Sequence, residues 1–486
     1  MAKRVAVIDI GSNSARLVVY ERTSRFAFHL LNESKSRVRL SEHAYQNGGN
    51  LQEIPMQRTI DALKDFLSII DSYKARKTLC VATSALRDAP NKKEFIQRVR
   101  KELKLNIKVI DGEKEAYLGA IACANLLPRL YNAISIDIGG GSTEISIIDN
   151  KEISHTCSLK LGTVRLKELF FDKDKIDDAI EYIDLKLSFL DNLDATTLVG
   201  IGGTIRAISS AILDKQEHPL NKLHAFSYSH KELKNFISKV LDADEDGLSK
   251  LGIKKDRFDV IKPGALILQR IIKKLPINKV ITSGVGVREG VFLSDLLRNS
   301  KHRFPTHYNP SVRYIIDAHV AEKNFSNQLN TLTKKIFDLT YKHLDIQTHY
   351  RRELSIASKL YPSGNTIHFF SKNKHTYYLL QSALEYGFTH EQIMLISTLC
   401  KYAKKKLPSD THAKQYEKLL PDTKTLHALS YILSVSIALL THRPRNIDFD
   451  LEFKDGELKV ISEETLRLSK ESVVKLEDIK DFKIKF

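Results

Sequence analysis

The sequence predicts an α/β protein of two similar lobes with a cleft between them, then a mostly helical C-terminal domain and a terminal β-hairpin. Three observations predict it. The element order βββαβαβα over residues 4–125 is repeated over residues 133–297. Both copies carry the same turn, Val7-Ile8-Asp9-Ile10-Gly11-Ser12-Asn13-Ser14 against Ser135-Ile136-Asp137-Ile138-Gly139-Gly140-Gly141-Ser142. From Lys301 onward strand signals fade and helical periodicity dominates.

In the first copy, β-branched and aromatic residues predict strands at Arg4–Ile10, Ala15–Glu21 and Phe26–Leu31. Ile60, Leu63, Phe66, Leu67 and Ile70 recur at helical spacing and predict a helix over Pro55–Tyr73. A strand at Thr78–Ala82, a helix at Asn91–Leu103, a strand at Asn106–Ile110 and a helix over Glu113–Leu126 complete this copy.

The second copy predicts strands at Ala133–Asp137, Glu144–Asp149 and Glu152–Lys160, then helices over Val164–Phe171 and Asp174–Leu190. A strand at Thr197–Ile201 leads to a helix from Thr204. Arg257–Leu275 is helical, Lys279–Thr282 a strand and Val287–Leu297 a helix. Later helices fit Pro310–Lys342, Arg351–Leu360, Lys374–Tyr386, His390–Lys405 and Leu426–Thr441. Asp455-Gly456 between Ile447–Phe453 and Glu457–Ser462 is a hairpin signal. The expected domains are residues 1–125, 126–300, 301–444 and 445–486.

The chain has 486 residues, 42% of them hydrophobic, which excludes wholesale disorder. No apolar run reaches the ~18 residues of a membrane span, and Tyr431–Leu440 fits a buried helix. The N-terminus lacks a secretory h-region, and the four cysteines form no metal or redox spacing. A cytoplasmic protein is expected. The net charge of +17 fits a polyanionic partner or a lysine-rich composition. Its density over residues 301–441 is about twice that of the first 300. With no RNA-binding aromatic motif, no zinc-finger spacing and no Trp, neither nucleic acid nor membrane is the expected partner.

The chemistry concentrates at the glycine turns. A tight turn after a strand exposes backbone N–H groups, and glycine lets an anion approach them. Ser12, Asn13, Ser14, Ser142 and Thr143 add side-chain donors, and Asp9 and Asp137 stand where a carboxylate can hold Mg²⁺ against phosphates. In Asp111-Gly112-Glu113-Lys114-Glu115-Ala116, Glu113 fits a helix-dipole complement. Glu115 begins a face of small residues and could take a proton from an attacking water. Arg87, in Ala82–Ala89, suits a phosphate or a surface pair with Asp88. Gly202-Gly203-Thr204 opens a helix that can receive a phosphate or nucleoside. Ser283–Gly290 is a further strand–helix junction.

Together these stretches resemble the exopolyphosphatase / guanosine pentaphosphate phosphohydrolase family of the actin, sugar-kinase and heat-shock ATPase superfamily. The matching segments are Asp9–Leu17, Ala82–Asn91, Asp111–Ala116, Asp137–Glu144, Gly200–Ile208 and Ser283–Gly290. The resemblance implies two ribonuclease-H-like lobes with substrate in the cleft. It places the catalytic glutamate on Glu115 and the phosphate loops on Gly11–Ser14 and on Gly139, Gly140, Gly141, Ser142 and Thr143. It places the Mg²⁺-associated acid on Asp137, a second active-site carboxylate on Glu144, which with Asp9 is also a candidate metal ligand, and the phosphate arginine on Arg87; Asp9 and Arg16 also match. The helical region resembles a domain related to HD-type phosphohydrolases. Tyr361 and Pro362 stand where that pattern has its metal-binding pair, so His319, His368 and His375 read as packing or surface histidines.

The resemblance implies an Mg²⁺-dependent hydrolase of inorganic polyphosphate or guanosine pentaphosphate (pppGpp), with the C-terminal domain as a substrate platform. The competing readings are a non-hydrolytic pppGpp or polyphosphate sensor and a polyphosphate-dependent ADP kinase. The sequence leaves a homodimer open.

Overall fold

The computed structural model describes residues 4–486. They divide into two compact units between Tyr308 and Asn309. In the first unit, β1 (Arg4–Ile10), β2 (Ala15–Arg22), β3 (Phe28–Ser36), β4 (Lys77–Ala82) and β5 (Lys108–Val109) form a sheet ordered β3-β2-β1-β4-β5. A second sheet contains β6 (Ala133–Ile138), β7 (Thr143–Asp149), β8 (Glu152–Leu159), β9 (Thr197–Ile201), β10 (Ser227–Ser229) and β11 (Lys279–Thr282). Its order is β10-β11-β9-β6-β7-β8.

The pairings repeat. β1 runs antiparallel to β2 and parallel to β4, as β6 runs antiparallel to β7 and parallel to β9. β10 is an extra edge strand on the second sheet. Register carries the correspondence to single residues, with Asp9 opposite Arg16 and Asp137 opposite Glu144. Each connecting turn closes the same way, Gly11 N–H donating to Ser14 O at 3.1 Å and Gly139 N–H to Ser142 O at 2.9 Å. β1 and β6 are apolar almost throughout because both faces of each sheet are covered.

Two helices bind the halves together. Gly112–Leu126 follows the first sheet in sequence but packs on β6, β7 and β8, where Ala120, Cys123 and Ala124 join the core of the second sheet. Val287–Leu296 follows the second sheet but packs on β1, where Phe292 stacks on Tyr20 at 4.3 Å and meets Phe28 edge-on at 4.8 Å. A boundary at 126 therefore severs a helix from the sheet it covers, and one at 300 severs the other. The helices pack closely where Gly290 lies on the Leu118 carbonyl, with no room for a Cβ.

Other elements shift for local reasons. β3 runs to Ser36 rather than stopping at Leu31, because this edge strand carries polar residues such as Glu33 and Lys35 that mask its period. The helix expected to reach Leu190 ends at Lys186 and yields to a 3₁₀ turn over Ser188–Asn192. The stretch Pro310–Lys342 is two helices, Pro310–His319 and Lys323–Thr340. The helix His230–Asp242 was not anticipated, although the Ser229–Glu232 capping box marks its start.

The second unit packs helices around Thr423–Leu439, whose buried face includes Tyr431, Ile432 and Leu433. Among the described residues no helix is long and apolar enough to cross a membrane. Tyr361 and Pro362 are buried, while His368 is exposed and His319 and His375 are partly buried. β12 (Asp450–Lys454) and β13 (Glu457–Ile461) pair antiparallel about Asp455-Gly456, and β14 (Lys483–Lys485) adds parallel to β13.

Candidate active site

The two glycine turns face each other across a polar cleft with a cavity of about 170 Å³. Gly11, Ser12, Asn13 and Ser14 line one wall, and Gly139, Gly140 and Ser142 line the other. The turns lie in contact, since a Cβ on Gly140 would stand 2.9 Å from that of Ser12. Three of the sequence-predicted phosphate groups do not line it: Arg87, Thr143 and Gly141. Thr143 is fully buried and its hydroxyl donates to Leu161 O at 2.5 Å, so it anchors the loop rather than facing the cleft. Gly141 faces Tyr45, Ser84 and Ser12 behind the turn.

Glu115 is delivered by its helix. Asp111 caps the N-terminus, its carboxylate accepting from Lys114 N–H at 2.7 Å. The helix is so tightly packed that a Cβ on Gly112 would overlap Ser158. Glu113 is left exposed and Glu115 is buried, lining the cleft. Arg87, at the end of a short helix over Ser84–Arg87, donates from Nη1 to Glu115 Oε2 at 2.8 Å and from Nη2 to Ser142 Oγ at 3.4 Å. Its Nη2 lies 4.0 Å from Glu144 Oε1, and Asp88, the alternative partner, is 3.9 Å from Nε. Ser158 Oγ donates to Glu144 Oε1 at 2.7 Å.

Burial raises the pKa of Glu115, and repulsion from Glu144 adds to it; Arg87 opposes the shift. Burial likewise raises Glu144, assisted by Asp137. Asp137 is pushed up to about 6 by burial, against the pull of Arg206. Carboxylates held in this way can exchange protons near neutral pH.

Asp9 and Asp137, equivalent positions of the repeat, both line the cleft. Asp9 Oδ1 is buried with no hydrogen-bond partner, and burial raises its pKa. A buried, unpaired carboxylate oxygen fits a bound cation, which would supply the missing partner. Among the described residues no group of three or more acidic, His or Cys side chains is placed to hold a metal ion. The two carboxylates Asp9 and Asp137 fit Mg²⁺, which commonly takes one or two carboxylates and completes its shell with water and substrate phosphates.

A cationic end completes the cleft. Arg16 and Arg288 line it and converge on Glu33 Oε1, at 3.4 and 2.6 Å. Gly202, Gly203 and Thr204 bring in the N-terminus of the helix Gly202–Lys215. Gly202 has φ +86°, a backbone conformation that suits glycine, and any Cβ there would overlap Asp137. Arg206 is half-buried and donates to Ser283 O at 2.7 Å and Val285 O at 3.0 Å, fixing the junction before the helix Val287–Leu296.

Sequence reasoning missed Lys35, Arg257 and Arg165. Lys35 and Arg257 line the cleft. Lys35 pairs with Arg16 across β2 and β3, so the alternation Lys35, Arg37, Arg39 carried a signal. Arg257 had none. Arg165 donates from Nε to Gly141 O at 2.9 Å and from Nη2 to Asp88 Oδ2 at 2.8 Å, tying the second turn to the first half of the unit.

Comparison with known proteins shows what this chain is similar to. A model described as the Ppx/GppA phosphatase family matches residues 18–299, and one described as Ppx/GppA phosphatase, domain III, matches residues 309–476. A bifunctional 3-dehydroquinate synthase/phosphatase of Fusobacterium nucleatum is 31% identical over 297 residues, 57% of this chain; the match spans only 44% of that relative. A guanosine-5'-triphosphate,3'-diphosphate pyrophosphatase of Vibrio parahaemolyticus is 28% identical over 90% of this chain and 87% of its own. The crystal structure of an Aquifex aeolicus Ppx/GppA family member is 29% identical with a TM-score of 0.54, covering 62% of this chain and 99% of that one. That of an exopolyphosphatase from Cytophaga hutchinsonii is 25% identical with a TM-score of 0.57, covering 62% and 100%.

Proposed function

The chain belongs to the Ppx/GppA phosphatase family, and from that premise we propose that it is a cytoplasmic hydrolase of terminal phosphoanhydrides. The proposed substrates are inorganic polyphosphate and pppGpp, bound across two ribonuclease-H-like lobes. The observation that carries the reading is the position of Glu115, buried at the cleft with Arg87 at 2.8 Å and the two glycine turns alongside.

In this reading the terminal phosphoryl group lies between the turns, with the N–H groups of Ser12, Asn13 and Gly140 donating to its oxygens, since those of Gly11 and Gly139 close the turns themselves. Glu115 accepts a proton from the attacking water as its oxygen bonds to phosphorus in line. The anhydride P–O bond opposite breaks and the shortened chain or nucleotide leaves as an anion, needing little protonation. Orthophosphate is released and Glu115 returns its proton to solvent. Arg87 orients the carboxylate and neutralises charge on the transferring group. A divalent cation, Mg²⁺ in this reading, would be held by Asp9 and Asp137 and would offset phosphate charge. Glu144, tied to Ser158 and facing Arg87, supports the water site rather than completing a metal shell. Arg16, Lys35 and Arg257 would meet the remaining phosphates. The second unit, domain III of the family by its match, lacks the HD-type metal pair at Tyr361 and Pro362 and is proposed as a substrate platform.

The test is release of orthophosphate from long-chain polyphosphate and from pppGpp, side by side, with Mg²⁺ present or chelated. Release that requires the cation is expected. Tight binding of pppGpp without release from either substrate overturns the hydrolase reading.

A further inference from the structure

A second chamber, of about 250 Å³, adjoins the cleft and takes no part in the mechanism above. Ser84 lines both spaces. The partition between them is built of hydroxyls around a glycine. Ser12 Oγ and Ser84 Oγ share a hydrogen bond of 3.1 Å, and a Cβ on Gly141 would meet Ser84 Oγ at 2.8 Å and Ser12 Oγ at 3.0 Å. The Tyr45 hydroxyl closes the same gap. The short helix Ser84–Arg87 stands in this wall, with Arg87 turned to Glu115 on the cleft side and Ala85 and Asp88 lining the chamber.

The chamber's chemistry is that of a small oxyanion site. Arg165 lines it with Tyr45 under its guanidinium at 4.4 Å, and its charge is partly answered by Asp88 at 2.8 Å. Lys160 lines it as well and makes no ion pair among the described residues. Ser41, Tyr45 and Ser84 add hydroxyl donors. Two cations against one carboxylate leave a net positive lining, and hydroxyls with an ammonium can coordinate a tetrahedral anion from several sides.

We propose that this chamber is an orthophosphate site, which the hydrolysis product occupies after it has left the cleft. The proposal rests on the hydrolase reading for the source of the phosphate, not for the chemistry of the chamber. Phosphate there coexists with substrate in the cleft, because the partition separates the two. Its inhibition is therefore mixed or non-competitive toward substrate.

The experiment measures inhibition of turnover by added inorganic phosphate, and calorimetric binding of inorganic phosphate alone, for wild type, Lys160→Glu and Leu169→Trp. Leu169 lines the chamber, so the larger side chain occupies its volume. Charge reversal at Lys160 is expected to weaken phosphate inhibition and binding by about three- to tenfold. Leu169→Trp weakens them similarly, and kcat/KM without added phosphate stays as in wild type for both. Purely competitive inhibition untouched by either substitution overturns the proposal, as does calorimetric phosphate binding that both variants retain in full. A wild-type chain releasing no phosphate from either substrate sinks the hydrolase reading alone; the calorimetric comparison then still decides the chamber.

Discussion

Arg87 Nη1 lies 2.8 Å from Glu115 Oε2, closer than any contact it makes with the neighbouring Asp88. The residues come from different elements of the first half, and their meeting point lies on the second half's turn at Ser142. This pair sets the charge on the proposed base.

Glu115→Gln keeps the shape of the side chain and removes its basicity. Loss of a general base typically slows turnover by ~10²–10⁴-fold. A fall of that size in kcat is expected, with pppGpp binding retained by calorimetry. Wild-type-like phosphate release would remove Glu115 from the mechanism.

Arg87→Gln takes away the cation that opposes the upward pKa shift of Glu115. A carboxyl with a higher pKa is protonated at a higher pH, so the acid limb of the kcat profile moves to more alkaline pH. Arg87→Lys keeps the charge and loses the fork, so it restores the limb but not full kcat/KM. An acid limb unchanged in Arg87→Gln would separate Arg87 from the base.

The glycine turns, Glu115 and Arg87 were legible because each is a short local pattern with one chemical purpose. Helix ownership was not. Gly112–Leu126 is buried along most of its length from Glu115, so it has no polar face to show which sheet it covers. Lys35 was obscured by a polar edge strand, and Arg165 and Arg257 matter only through long-range contacts that no sequence window contains. The direction of the Thr143 hydroxyl, toward Leu161 O, was not legible because a hydroxyl beside a phosphate turn reads the same whichever way it faces.

The packing of the two exchanged helices yields a stability prediction. A methyl on Gly290 meets the Leu118 carbonyl, a backbone group that cannot move without shifting the helix bearing Glu115. Gly290→Ala is expected to cost about 2–3 kcal/mol, the upper part of the usual overpacking range. A lowered Tm with a fall in kcat is the expected pair of results in calorimetry and phosphate release. An unchanged Tm would show that the crossing has slack.

His224 predicts a pH dependence of stability. Its ring is buried, with Nδ1 accepting from Gly284 N–H at 3.2 Å, which leaves Nε2–H to donate to Leu126 O at 2.9 Å. A second proton on Nδ1 would face a donor, and burial already lowers the pKa to about 4 from 6.5. Between these values the unfolded chain binds the proton and the folded one does not. Stability is therefore full above pH 6.5 and declines as pH falls toward 4, by up to about 3 kcal/mol. His224→Gln should flatten the urea midpoint of the first unit over this window. A slope identical to wild type would refute the assignment.

The division at Tyr308 allows the platform role to be tested by truncation. The Aquifex and Cytophaga chains are matched over 99% and 100% of their lengths by 62% of this chain, about the share that the first unit makes up. Residues 1–308 also contain every side chain assigned to the cleft. The truncated chain should therefore turn over pppGpp with kcat close to that of the full chain. Long polyphosphate is different, because its many charges can engage basic residues beyond the cleft, and residues 301–441 carry about twice the net positive density of the first 300. The expected result is a selective rise in KM for long chains, shrinking with chain length and with added salt. Equal kcat/KM on long chains for both forms would leave the second unit without a role in holding substrate.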